Sequence, residues 1–131
     1  MTFTATPSSP FFVGTGIVLF AHGSRDPLWR LPMDAVAQRI TTLNPAARVV
    51  CAFLELTTPD LPSAVAELVA DGVQRITVVP LFLGVGKHAR EDLPLLMAKL
   101  HTTHPKVAFT LQAAVGEDPR LTDLLARIAL D

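Results

Sequence analysis

The amino-acid sequence predicts an α/β fold: a doubly wound, four-stranded parallel sheet in the order 2-1-3-4, with helices on both faces. Three observations predict it. Apolar runs and helical stripes alternate strictly as β-α-β-α-β-α-β-α along the 131 residues, and short connections between such units demand right-handed crossovers. The runs are apolar on both faces, Ile76, Val78, Val79, Leu81, Phe82 and Leu83 being the clearest case, as strands covered from both sides require. Pro, Gly, Asn and Asp stand where each helical stripe should begin or stop.

Residues 1–15, with their Thr, Ser and two Pro, are expected to form a poorly ordered tail, leaving 16–131 as a single α/β domain. Residues 16–21 form the first apolar run and end in His22-Gly23-Ser24-Arg25. Met33, Val36, Ala37 and Ile40 stripe the first helix, with Pro32 tolerable only near its first turn and Asn44-Pro45 as its stop. Residues 48–56 are expected to form the second strand, with Glu55 at its end. Thr58 then suits an N-cap with Pro59 at the first helical position, and Leu61, Val65, Leu68 and Val69 stripe a helix that Gly72 ends. The third strand, 76–83, passes into a loop broken by Gly84 and Gly86 and carrying His88, before a helix striped by Leu93, Leu96, Met97 and Leu100. Residues 106–115 predict the fourth strand. Asp118 as N-cap, Pro119 behind it and the stripe Leu121, Leu124, Leu125 and Ile128 predict the last helix.

Composition excludes several classes of function. Eleven basic residues against twelve acidic ones leave no field that would argue for nucleic acid or an anionic membrane. The single cysteine, Cys51, supports neither a disulfide framework nor a four-cysteine cluster and is expected in the core. No apolar run approaches the roughly eighteen residues of a membrane helix. The first basic residue is Arg25, so the amino terminus lacks the charged region of a secretory signal, and the expectation is a soluble, cytoplasmic protein. There is no Walker loop and no Gly-x-Gly-x-x-Gly. Ala21 stands where a histidine phosphatase carries its phosphate-clamping Arg, and Ser24 lies outside any nucleophile elbow.

The candidate site follows from the sheet order. His22 and His88 fall at the carboxyl ends of strands 1 and 3, which flank the switch point of a 2-1-3-4 sheet, and Glu55 falls on the same edge from strand 2. Two imidazoles and a carboxylate form an open N/O set suited to a divalent transition metal or to proton abstraction. Each His alone would more often be a structural hydrogen-bonding residue, and Glu55 could equally pair with an arginine. His101 and His104 have helical i, i+3 spacing but close the third helix at the opposite edge, where solvated histidines suit a helix C-terminus. Arg25, Arg30, Lys87 and Arg90 group at the site edge, either as ordinary surface charge or as a rim for a polyanionic ligand.

Four ordered blocks then carry a resemblance: His22-Gly23-Ser24-Arg25-Asp26-Pro27; Phe53-Leu54-Glu55; Val79-Pro80-Leu81-Phe82-Leu83 with Gly86-x-His88-x-x-x-Asp92-x-Pro94; and Gly116-x-Asp118-Pro119-Arg120-Leu121. Over residues 16–130 the chain resembles the small class II tetrapyrrole chelatases, the sirohydrochlorin cobaltochelatase and ferrochelatase family. The resemblance implies a chelatase-like fold and ATP-independent insertion of a divalent metal into sirohydrochlorin, with Co2+ expected ahead of Fe2+ or Ni2+, for cobalamin or siroheme. It implies His22 and His88 as metal ligands and proton acceptors, and Glu55 as the assisting carboxylate. Ser24, Arg25, Gly84, Gly86, Lys87 and Arg90 would meet the macrocycle and its carboxylates, and two chains would pair as a homodimer. No permanently bound cofactor, nucleic acid or membrane is implied; metal and tetrapyrrole are substrates. Two departures from the family pattern are Ala21, where a Gly is usual, and the amino-terminal extension. The competing class is a non-catalytic metal-carrying or tetrapyrrole-carrying protein that uses the same histidines.

Overall fold

The computed structural model describes residues 14–131. The tail expected over 1–15 lies outside the described residues up to position 13, and Thr15 already opens the first strand. Among the described residues four strands, β1 (Thr15–Ala21), β2 (Arg48–Phe53), β3 (Arg75–Pro80) and β4 (Ala108–Leu111), alternate with helices α1 (Leu31–Leu43), α2 (Leu61–Ala70), α3 (Lys87–Thr103) and α4 (Pro119–Leu130). The sheet is all-parallel in the order β2-β1-β3-β4, as the alternating pattern predicts.

Two layers of core follow from strand alternation. On one face Val18, Phe20, Ala52, Ile76 and Val78 pack beneath α2 and α3, which contribute Leu61, Val65, Leu68, Leu93 and Leu100. On the other, Leu19, Ala21, Cys51 and Phe53 lie under Met33, Ala37 and Ile40 of α1. Cys51 is buried as expected, and burial pushes its thiol pKa up. Burying one such Leu or Phe is worth about 1.5–3 kcal/mol, so the strands are fixed in register and deliver their ends to one edge.

Several predicted boundaries move, each for a local reason. β2 stops at Phe53 rather than at 56 because the chain doubles back: the Phe53 N–H donates to the Pro59 carbonyl and Leu56 takes a left-handed φ of 63°. The α2 N-cap is Asp60, not Thr58, its carboxylate accepting from the Ser63 N–H at 2.9 Å with Leu61 and Pro62 opening the helix. Thr58–Pro59 is a cis peptide within the preceding turn. β3 ends at Pro80, paired with Phe20, after which the Leu81 N–H makes one more bond to the Phe20 carbonyl before the chain leaves the sheet. β4 is confined to Ala108–Leu111, and Val115 belongs to a 3-10 turn, Val115–Glu117. A further 3-10 turn, Pro27–Arg30, leads into α1 under an Asp26 cap and has no counterpart in the sequence reading.

Candidate functional site

The carboxyl edge of the sheet holds an open cleft of about 650 Å3, lined among others by His22, Trp29, Met33, Phe82, Leu83 and Gly84. The first residue beyond β1 is His22, and its exposed imidazole rests on the Phe82 ring with centroids 4.6 Å apart and planes tilted by 37°. Phe82 is in turn buried edge-on against Phe20 of β1, 6.0 Å between centroids. The His22 carbonyl accepts from the Trp29 indole Nε1–H at 2.7 Å. Backbone and ring of His22 are thus each held by an aromatic residue.

The β1 and β2 loops are stitched to each other. Thr57 Oγ1 accepts from the Ser24 N–H at 3.0 Å and donates to the Ser24 carbonyl at 2.9 Å. Gly23 must be glycine here, because a Cβ at that position would overlap the Glu55 carbonyl. Gly116 plays the same part on the other side of the cleft, pressed against the Leu83 carbonyl. The backbones of the His22 and Glu55 loops therefore touch, and the loop after β3 is fixed by the turn that precedes α4.

His88 departs from its expected place in a loop. It is the second residue of α3, which begins at Lys87 under a Gly86 cap that supplies no side-chain acceptor. The change puts His88 on a helix end whose N–H groups point toward the edge. Glu55 stands two residues beyond β2, exposed, rather than on the strand itself. Among the described residues no three His, Cys, Asp or Glu side chains gather into a metal-holding group, so His22, His88 and Glu55 share an edge without converging as a closed triad in one chain. Arg25 and Lys87 are exposed, whereas the Arg90 guanidinium donates to the Val85 carbonyl at 2.9 Å. Arg30 leaves the proposed rim: it pairs with Asp34 at 3.0 Å, lies 5.0 Å from the Phe53 ring centroid, and its pKa is raised chiefly by the Asp34 hydrogen bond. No side chain would crowd a Cβ at Gly84 or Gly86, so that loop presents open backbone. His101 lies in the last turn of α3 and His104 caps it, at the opposite edge as expected.

Trp29, Leu28 and Met33 are cleft residues that the sequence reading missed. The signal available was the chain's only Trp, placed three residues after a capping Asp and so locked into a turn beside the first histidine.

Comparison with known proteins agrees with this architecture. The CbiX family model matches residues 16–130. A sirohydrochlorin cobaltochelatase of Methanopyrus kandleri is 35% identical over 81 residues, 62% of this chain and 57% of that protein. The chain thus matches less than two thirds of the length of that relative. One from Saccharolobus solfataricus is 29% identical over 118 residues, covering 86% of this chain and 91% of its own. The crystal structure of a CbiX protein of cobalamin biosynthesis from Marinobacter aquaeolei VT8 superposes with a TM-score of 0.75 at 33% identity, over 88% of this chain and 93% of that one. The cobalt complex of the sirohydrochlorin chelatase SirB from Bacillus subtilis shares the fold, with a TM-score of 0.76 at 24% identity, over 91% of this chain and 51% of that one.

Proposed function

Because the chain belongs to the CbiX family, matched over residues 16–130, we propose that it inserts a divalent metal ion, Co2+ ahead of Fe2+ or Ni2+, into sirohydrochlorin without ATP. The observation that carries this reading is His22: an exposed imidazole fixed by Phe82 and Trp29 at the rim of a broad apolar cleft on the sheet's carboxyl edge. A flat ring suits that cleft, and imidazole suits both tasks the reaction sets. It can present a partly desolvated metal through its lone pair, and it can accept a proton from a pyrrole nitrogen.

His22 and His88 are the proposed ligands and bases, with Glu55 assisting as a carboxylate. Coordination that stays open is an advantage, since the ion must leave for the ring nitrogens. Arg25, Lys87 and Arg90, with the uncapped N–H groups at the start of α3, would meet the peripheral carboxylates of the macrocycle. Ser24 and the open backbone at Gly84 and Gly86 would let the ring edge approach closely. One lobe offers a single wall, and a homodimer would supply the second. The setting is cytoplasmic, in cobalamin or siroheme synthesis; no helix among the described residues is long and apolar enough to cross a membrane.

The test is a single-turnover absorbance assay with sirohydrochlorin and Co2+, Fe2+ or Ni2+ in parallel, without nucleotide. Appearance of the metallated product's spectrum is expected, and its loss in His22→Ala and His88→Ala with the circular dichroism unchanged. Binding without product formation would instead identify a carrier.

A further inference from the structure

Trp29 lines the cleft with 46% of its surface in water, and Leu28 and Leu83 of the same lining are 67% and 69% exposed. The indole is nevertheless not loose. Its backbone is pinned in the turn Pro27–Arg30, where the Trp29 N–H donates to the Asp26 carbonyl at 3.0 Å. Its Nε1–H donates to the His22 carbonyl at 2.7 Å. The next residue, Arg30, is tied to Asp34 and lies over the Phe53 ring, which anchors the far side of the turn. An indole has one polar atom, and here that atom is spent on the protein, so what Trp29 has left for a ligand is the apolar face of its ring. An aromatic group fixed in advance loses little freedom when a ligand lands on it.

The rest of the lining points to a ligand of the same kind. Among the described residues it holds two ionisable side chains, His22 and Asp26, and the Asp26 carboxylate already accepts from the Leu28 N–H at 2.9 Å. The exposed cations Arg25 and Lys87 stand outside that lining. The cleft therefore offers an apolar interior with positive charge beyond it, which matches a flat conjugated macrocycle whose carboxylates hang from its edge.

We infer that Trp29 is a positioning residue for metal insertion: its ring packs on the plane of the tetrapyrrole while its Nε1–H holds the backbone of His22, so one side chain ties the placing of the macrocycle to that of the imidazole. This rests on the chelatase reading and adds to it a residue outside the histidines, Glu55 and the basic rim. The two tasks are separable, because Phe keeps an aromatic face without the N–H and Leu keeps neither.

The experiment uses the full chain and two measurements, equilibrium binding of metal-free sirohydrochlorin followed by its own absorbance, and the single-turnover rate of Co2+ insertion at saturating sirohydrochlorin. Trp29→Phe should bind within about threefold of wild type but insert about fivefold more slowly, the loss of one hydrogen bond to the His22 loop. Trp29→Leu should show the same slow insertion and bind about tenfold more weakly. Wild-type affinity in Trp29→Leu would overturn the ring contact, and a wild-type rate in Trp29→Phe would overturn the hold on His22. Equal losses of affinity in both variants, in step with lowered melting temperatures, would also overturn the inference by reducing Trp29 to a structural residue. In each of these cases wild-type insertion would leave the chelatase reading standing. A wild type that binds no sirohydrochlorin would remove both.

Discussion

At the scale of single residues, the site depends on how His22 is held. Phe82 supports its ring and is itself locked in the core. Phe82→Leu keeps most of the volume and should cost about 1 kcal/mol of stability, but it removes the flat surface under the imidazole, so insertion should slow more than that loss of stability explains. Comparison of urea midpoints with single-turnover rates checks this. Gly23→Ala should do more harm, because its methyl group would drive the β1 loop off the Glu55 carbonyl; intact turnover in that variant would show that the two loops need not touch. The histidines were legible in the sequence because each follows an apolar run with glycine beside it: His22 heads its loop, and His88 comes directly after the one broken by Gly84 and Gly86. The cleft around them was not: Phe82 and Leu83 belong by composition to a buried strand, and only Pro80 ending β3 turns them out to the edge.

At the scale of elements, the sequence revealed helices better than their ends. Stripes at 3.6-residue spacing located all four helices, α2 and α3 with a buried face that enforces the pattern and α4 with a stripe left exposed, and Asp118 was legible as a cap because Pro119 follows it. The α2 cap was misplaced because Thr58-Pro59 offers the same letters two residues early, and only the tertiary reversal after Phe53 selects Asp60. The Asp118 cap is open to a pH test. Its carboxylate is held down to a pKa of about 2, first by the Arg120 side chain and then by the Arg120 N–H. A depressed carboxylate contributes stability that is present above its unfolded value near 3.9 and is lost as pH falls through about 2. Protection of the first α4 amides should therefore persist at pH 4 and fade toward pH 2. Asp118→Asn, which can still cap, should keep the helix and flatten that dependence in amide exchange.

At the scale of the whole molecule, the described residues present a cleft with one wall and a last helix whose apolar stripe is exposed. The single wall was expected from the sequence, which implied a homodimer; the uncovered stripe of α4 was not, because its spacing is the same whether it packs at home or on a neighbour. If two copies complete one another, unfolding separates as well as melts them, and the folded state gains from mass action. A tenfold rise in protein concentration then adds about 1.4 kcal/mol to the stability of the pair. For a unit of this size that corresponds to roughly 3 °C in Tm. Thermal melts of the apoprotein over a hundredfold range of concentration should thus climb by about 6 °C in wild type. The same dilution series read by insertion rate per protomer should fall once dimers part, provided the second wall of the cleft comes from the partner. A wild-type Tm independent of concentration would mean that each chain is stable alone, with the α4 stripe left to water.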